Sequence, residues 1–255
     1  MQYDRSAAGI SEIVNYTVCA IDIAWAHLLA FDHNHLLSPS QLAVYAAAIR
    51  AAGAPLSTVW GFIDCTLRRI ARPSRGQQAA YSGYKKFHAL KYQAVVIPNG
   101  IIAHLFGPWE GRHADPFLLA ESGLLEQCAQ HAVQEGSDEN TPLEHRYFQL
   151  FGDPAYGVGP HIISPFSGAG ERTEEELEWN ARMASVRIKV EHAFGVVVNT
   201  WSFLNSFWKQ RVYSSPVGRY YRVAVLLTNA RNCYSPNQVA TAFDCPPPTI
   251  DEYFY

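Results

Sequence analysis

The chain has 255 residues, 48% hydrophobic and 17% charged, with a formal net charge of −3. This composition excludes an intrinsically disordered chain, and the negative balance means that only a local basic surface could bind nucleic acid. No apolar run of the roughly 18–20 residues of a membrane span and no signal-peptide pattern is evident, so we expect an intracellular protein without a membrane partner.

Two helices are predicted before the first strand. Apolar residues recur at helical spacing over residues 9–30. Ser38 and Pro39 have the residue types of an N-cap and a first helical turn, which predicts a second helix running to Ile49 and ending near Gly53. We expect both helices to pack against a sheet.

From Ser57 the apolar pattern becomes typical of strands. Asn99-Gly100 between two apolar runs predicts a hairpin. The predicted elements are strands 59–64, 89–97 and 101–106, a helix over 116–132, a strand ending at Asp153, a short strand over 162–166, a long helix from Thr173 and a helix over 219–229. This order predicts an α/β fold, with a ribonuclease-H-like mixed sheet flanked by helices and an N-terminal helical segment.

Three acidic residues stand in settings that a sheet could bring together. Asp64 follows the apolar run 59–63, Asp153 follows the run 147–152, and Glu191 lies in an amphipathic stretch over 183–201. Taken singly, each could be a turn residue, a cap or part of a solvated helix face. A carboxylate directly after a buried run is costly unless a partner meets it. Together the three predict a site for divalent metal ions, which prefer oxygen ligands. Enzymes use such ions to cleave phosphodiesters.

A basic segment follows Asp64, with no acidic residue before Glu110. Its basic residues are Arg68, Arg69, Arg72, Arg75, Lys85, Lys86 and Lys91, with Tyr81, Tyr84 and Phe87 among them. Such a segment predicts contacts to the DNA backbone, with aromatic rings available for bases; the alternative is a solvated loop. Arg187, one turn before Glu191, fits either a helical ion pair or a phosphate contact.

Other polar clusters have weaker patterns. The turn over 109–115 could hold groups that support the acids, or Asp115 could cap a helix. The histidines of Asp32-His33-Asn34-His35 are interpreted as structural. The five cysteines form no C-x-x-C pair, which is typical of reduced thiols.

Four stretches together resemble the PIF/Harbinger-type DDE transposases and their domesticated relatives. They are Trp60–Asp64, Tyr81–Lys91, Gly152–Tyr156 and Arg187–Gly195. The resemblance extends over about residues 55–235. The chain departs from the family's pattern at three positions. Relatives commonly have Gly where this chain has Cys65, a basic residue or His where it has Leu67, and His where it has Ala114.

The resemblance implies a DDE nuclease domain over 56–235, after an N-terminal helical segment (1–55) that is a remnant of or lead-in to a DNA-binding region, and before a tail (236–255). It implies that Asp64, Asp153 and Glu191 are the catalytic acids and hold two Mg²⁺ (or Mn²⁺) ions, with Asp115 as a further acid of the pattern. The relatives cleave and join transposon DNA in the nucleus, usually with a Myb-like partner protein, and a homo-oligomer is a candidate assembly.

The leading interpretation is therefore a metal-dependent DNA endonuclease and strand-transfer domain. The departures at residues 65, 67 and 114 motivate a second one, a domesticated module that binds DNA or protein and no longer cuts. A metal-dependent phosphatase for small substrates is the third, and it would need a closed pocket in place of an open basic surface.

Overall fold

The computed structural model describes residues 5–168, 170–235 and 237–255, without the side chains of Glu144, Glu191 and His192. The strands are β1 (Val59–Arg69), β2 (Tyr81–Ser82), β3 (Phe87–Val96), β4 (Ile102–Glu110), β5 (Gln149–Phe151) and β6 (Ile162–Ile163). The helices are α1 (Ala7–Trp25), α2 (Pro39–Ala51), α3 (Gln77–Ala80), α4 (Asp115–Glu121), α5 (Leu124–His131), α6 (Leu143–Arg146), α7 (Glu174–Thr200), α8 (Val217–Tyr234), α9 (Gln238–Phe243) and α10 (Ile250–Tyr253).

The strands form one mixed sheet in the order β2-β3-β1-β5-β6, with β4 also paired to β3. Strand β3 is antiparallel to β1 and β4, whereas β5 is parallel to both β1 and β6. Helices flank this sheet, and α2 packs against β1. The predicted ribonuclease-H-like α/β fold with an N-terminal helical segment is confirmed.

The turn between β3 and β4 is the predicted hairpin. Gly100 has φ +82°, a conformation that glycine adopts without a steric penalty. The Asn99 side-chain oxygen accepts a hydrogen bond from the Ile101 backbone N–H at 3.1 Å. This local chemistry fixes the register of the two strands, and the hairpin prediction is confirmed.

Helices cover both faces of the sheet. The Tyr92 ring of β3 packs against Tyr221 of α8, with centroids 4.7 Å apart. The next residue, Gln93, donates a hydrogen bond at 3.1 Å to Ser122, which follows α4. Because neighbouring residues on a strand face opposite sides, α8 and α4 lie on opposite faces of the sheet.

The predicted helix over 116–132 is two helices, so that prediction was wrong in its continuity. Gly123 has φ +62°, a non-helical conformation that separates α4 from α5. The long helix after Thr173 is confirmed as α7. The Thr173 hydroxyl accepts a hydrogen bond from the Glu176 N–H at 3.2 Å, and the Glu176 carboxylate accepts one from the Thr173 N–H at 3.0 Å.

Asp32 shapes the loop before α2. Its carboxylate accepts hydrogen bonds from the backbone N–H groups of Asn34 and His35, each at 3.2 Å, and of Leu36 at 2.9 Å. The carboxylate therefore holds a turn, which agrees with the structural interpretation of the loop.

The N-terminal helix corrects one expectation from composition. Together α1 and the short 3₁₀ turn after it, Ala7–Leu29, comprise 23 residues of mean hydropathy 1.2, long and apolar enough to cross a membrane. One such helix near an N-terminus is weak evidence for a membrane, because length and composition are its only basis. Asp22 of α1 forms ion pairs with Arg219 at 3.4 Å and Arg222 at 2.9 Å, which attach α1 to α8.

Candidate metal centre

Asp64 and Asp153 are neighbours because β1 and β5 run in parallel. The last residue pair between these strands is Phe62 with Phe151. Each aspartate lies two residues beyond that pair, at the point where β5 has ended. Strand β1 continues to Arg69, so the prediction that Asp64 ends its strand was wrong. The neighbouring strand β5 ends at Phe151, two residues before Asp153.

Asp115 completes a cluster of three carboxylates. After the β3–β4 hairpin, a turn that follows Glu110 brings the chain back beside Asp64 and Asp153. Asp115 is the first residue of α4, directly after this turn. One oxygen from each of Asp64, Asp115 and Asp153 lies within 4.8 Å of the other two. All three aspartates are half-buried. This spacing allows the three groups to share one ion.

The environment of Asp64 disfavours its charge. Burial raises the pKa of the Asp64 carboxyl to about 6, and the carboxylates of Asp153 and Asp115 act in the same direction. The Arg187 guanidinium and the Cys65 backbone N–H lower this pKa in part; the N–H donates to Asp64 Oδ1 at 2.7 Å. A divalent cation would relieve this repulsion.

Two basic side chains contact the three carboxylates. The Arg187 guanidinium has one nitrogen 3.3 Å from Asp64 Oδ2 and another in an ion pair with Asp153. The Lys91 ammonium forms an ion pair with Asp115 and donates to the His113 carbonyl at 2.7 Å. Arg187 therefore contacts two of the acids directly.

Close packing holds Asp153 in place beside β1. A Cβ atom on Gly152 would lie 2.6 Å from Tyr156 Cδ2 and 2.8 Å from Ile63 Cγ2, so only glycine fits. The Tyr156 hydroxyl donates to Cys65 Sγ at 3.3 Å. Burial raises the pKa of the Cys65 thiol, which keeps it neutral beside the acids. The family departure at residue 65 is thus accommodated without displacing Asp64.

Glu191 was predicted as the third metal ligand. It lies on α7, four residues after Arg187, but its side chain is outside the described part of the structure. Its role stays a prediction. Asp115, which the sequence indicated only as a further acid, is the third carboxylate of the described cluster.

The carboxylates fit a hard divalent cation. Their oxygens come from three separate parts of the chain, and the carboxylates of Asp153 and Asp115 contribute to the raised pKa of Asp64. Oxygen donors of this kind suit Mg²⁺ or Mn²⁺ and not the softer metals that prefer sulfur. Asp64, Asp115 and Asp153 would hold such an ion.

The predicted DNA-backbone residues divide into two groups. Arg69, Arg72, Arg75, Lys85 and Lys86 are exposed. Three others do not lie on that surface: Lys91 is buried against Asp115, Arg187 contacts the acids, and Arg68 is half-buried over the Tyr221 ring. The exposed basic surface is therefore smaller than the sequence indicated.

One protein-family model matches the central two thirds of the chain. The model of the DDE superfamily endonuclease family matches residues 63–229. The chain belongs to this family. No curated protein and no solved structure matches it.

The chain is a member of the DDE superfamily, and its three clustered carboxylates fit a metal-dependent nuclease. The family membership implies a DNA substrate. The geometry adds the cluster of three carboxylates beside the end of β5, which fits the use of a divalent metal. Sequence reasoning missed that Lys91 is a buried partner of Asp115, since that pair joins residues 24 positions apart without any periodic pattern.

Proposed function

We propose that this DDE endonuclease is of the Harbinger type and cleaves and joins DNA with two divalent metal ions, Mg²⁺ or Mn²⁺. The observation that carries the proposal is the convergence of Asp64, Asp115 and Asp153 within 4.8 Å of one another. The alignment of Asp64 with Asp153 follows from the register of β1 and β5 and does not depend on a flexible loop. Helical spacing predicts that Glu191 joins them from α7.

Asp64 and Arg187 would have different roles in DNA cleavage. Bound ions would activate a water molecule or a DNA 3′-hydroxyl as the nucleophile and stabilise the leaving oxygen. Asp64, whose pKa both Asp153 and Asp115 raise, would be a ligand of the bound metal. The planar Arg187 guanidinium matches the geometry of a phosphate, so it would turn from the acids toward the scissile phosphate when DNA binds.

The exposed basic surface would hold the DNA on one side of the acids. Arg69 and Arg72 follow Asp64 on the same stretch of chain, and Lys85 and Lys86 extend the positive charge. These side chains would bind phosphates without reading sequence. The nuclear location, the Myb-like partner and a homo-oligomer belong to this proposal as what the Harbinger resemblance implies.

A plasmid-nicking assay with Mg²⁺ tests the proposal. The parent protein should convert supercoiled plasmid to nicked or linear DNA, and EDTA should stop it. Asp64→Asn and Asp153→Asn should each lower the rate at least about 100-fold, because a metal ligand is lost. Asp251→Asn, an exposed acid on α10, is the matched control and should cleave like the parent. Equal cleavage by Asp64→Asn and the parent would contradict the proposal.

A second candidate is a domesticated module that binds DNA or protein without cutting. The departures at Cys65 and Ala114 favour it, as do the ion pairs that Arg187 and Lys91 already make with the acids. Calorimetry with Mg²⁺ or Mn²⁺ separates the two. Metal binding that Asp153→Asn abolishes supports the enzyme, and no metal binding by the parent supports the module.

A further inference from the structure

The two longest stretches of the chain without an acidic residue contain most of its basic residues. The first lies between Asp64 and Glu110 and the second between Glu191 and Asp244. Together they contain twelve of the 20 lysines and arginines of a chain whose net charge is −3. Positive charge is therefore concentrated in two segments that are distant in sequence.

The fold brings parts of these stretches together. The Ala71 N–H donates to the Gln210 carbonyl at 3.0 Å, and the Gln210 side chain is buried. The Arg69 guanidinium lies 3.7 Å from the centre of the Phe207 ring. The Tyr213 hydroxyl donates to the Arg75 carbonyl at 3.4 Å. The segment 207–214 is thus fixed against the segment 69–75.

A groove of about 530 Å³ lies between the two segments. We call it the Trp208 groove; its lining includes Arg72, Arg211, Trp208 and Tyr213. The two arginines are exposed, and Trp208 and Tyr213 are 58% and 65% exposed. The groove therefore presents two large rings and two cations to solvent side by side.

This combination favours one kind of ligand. Arginine side chains attract phosphates, while exposed aromatic rings stack on bases, at about 1–3 kcal/mol per base. In a duplex the base faces are covered by their neighbours, so only an unpaired strand can use both features. A phosphate site alone would not need an exposed tryptophan.

We propose that the Trp208 groove binds unpaired DNA, with bases stacked on Trp208 and Tyr213 and phosphates paired with Arg72 and Arg211. The proposal rests on the proposed function for its choice of DNA. It narrows the substrate to DNA that has a single-stranded or opened segment. Duplex DNA would bind through charge alone and more weakly at this groove.

Fluorescence anisotropy in EDTA tests this without cleavage. The probes are a labelled single-stranded oligonucleotide of 20 nucleotides and its matched duplex. Trp208→Ala should weaken single-strand binding about 5- to 100-fold and change duplex binding less than about twofold. Trp208→Phe, which keeps a stacking ring, should restore most of the affinity. Tyr234→Ala removes an 81% exposed ring outside the groove and should match the parent.

The two arginines of the groove are tested by the salt dependence of binding. Arg72→Ala and Arg211→Ala should each reduce the slope of log affinity against log salt by about 0.7 for the single strand. Trp208→Ala should leave this slope unchanged, because a ring releases no counterions. Circular dichroism should show native folding for all variants, since each truncated side chain is exposed.

Three results would overturn the inference. They are parent-like single-strand binding by Trp208→Ala, an equal loss for single strand and duplex, and no single-strand binding by the parent. Binding of an acidic peptide with the same dependence on Trp208 would assign the groove to a protein partner instead. None of these results bears on nicking by Asp64→Asn, so the groove and the nuclease proposal fail separately.

Discussion

Lys91 and Asp115 form an ion pair that joins strand β3 to the start of helix α4. The lysine side chain is 9% exposed and the aspartate 25%. The Lys91 ammonium also donates to the His113 carbonyl at 2.7 Å. The Lys91 side chain of β3 thus positions Asp115, the acid of the cluster that belongs to a helix.

The first prediction is that Lys91 and Asp115 are energetically coupled. Lys91→Met should lower the free energy of unfolding by about 2–4 kcal/mol, because it leaves a partly buried carboxylate without its partner. The double variant Lys91→Met/Asp115→Asn should cost less than the sum of the single variants, by about 1–3 kcal/mol. Urea unfolding in EDTA measures this cycle. Additive single and double effects would mean that the pair is incidental.

The second prediction concerns Arg187, which contacts Asp64 and Asp153. Arg187→Met should destabilise the metal-free protein by about 1–3 kcal/mol, because the carboxylates lose a counter-charge. Added Mg²⁺ should then raise the melting temperature more than it does in the parent, since no guanidinium competes for the oxygens.

Arg182→Met is the matched control for Arg187, because Arg182 is an exposed arginine on the same helix. Its stability and its response to Mg²⁺ should equal those of the parent. A smaller Mg²⁺ response in Arg187→Met than in the parent would show that the arginine assists metal binding and does not oppose it.

The third prediction is that Gly152 cannot be replaced. In Gly152→Ala the new methyl group would press on the Tyr156 ring and on the stiff Ile63 side chain, both within 2.8 Å. Overpacking of this kind costs about 1–3 kcal/mol and should shift Asp153 away from Asp64, which lowers nicking. Gly159→Ala places its Cβ 3.9 Å from the nearest atom and should be neutral. Thermal melts and the nicking assay check both variants.

The fourth prediction is an acid sensitivity that arises from His104. Burial lowers the pKa of the His104 imidazole to about 4, against about 6.5 in an unfolded chain. Between these values the unfolded chain binds a proton that the folded protein does not, so stability falls as the pH decreases from 6.5 to 4. The loss should reach about 3 kcal/mol at pH 4.

His104→Leu isolates this effect, because it removes the titrating group from the core. Urea unfolding at pH 7 and pH 4.5 should show a smaller difference for His104→Leu than for the parent. His145→Leu changes an exposed histidine and should keep the parent's pH dependence. An unchanged pH dependence in His104→Leu would show that His104 is protonated in the fold.

Much of the fold follows from local signals. The Asn99-Gly100 turn and the Thr173 cap each act within a few residues, so the sequence shows them directly. The adjacency of Asp64 and Asp153 was also predictable, because both follow apolar runs that form neighbouring parallel strands. The DDE family match, over residues 63–229, includes both acids.

What the sequence did not show depends on contacts between distant residues. The sequence placed Lys91 among the DNA-contacting surface residues, but its side chain is buried in an ion pair with Asp115. The Trp208 groove arises where residues 207–214 meet residues 69–75, and neither segment has a periodic pattern. The break at Gly123 came from a backbone angle that the apolar spacing of 116–132 does not reveal. The domain boundaries at residues 55 and 235 and the role of Glu191 stay predictions.

The spread of the carboxylates along the chain has a consequence for biosynthesis. Asp64 leaves the ribosome well before Asp153, and the strand that aligns them, β5, is made just before the second acid. A nascent or truncated polypeptide that stops short of residue 153 can hold Asp64 and Asp115 but cannot close the cluster. Such a product lacks the third carboxylate, so the candidate metal centre can form only after residue 153 has been made.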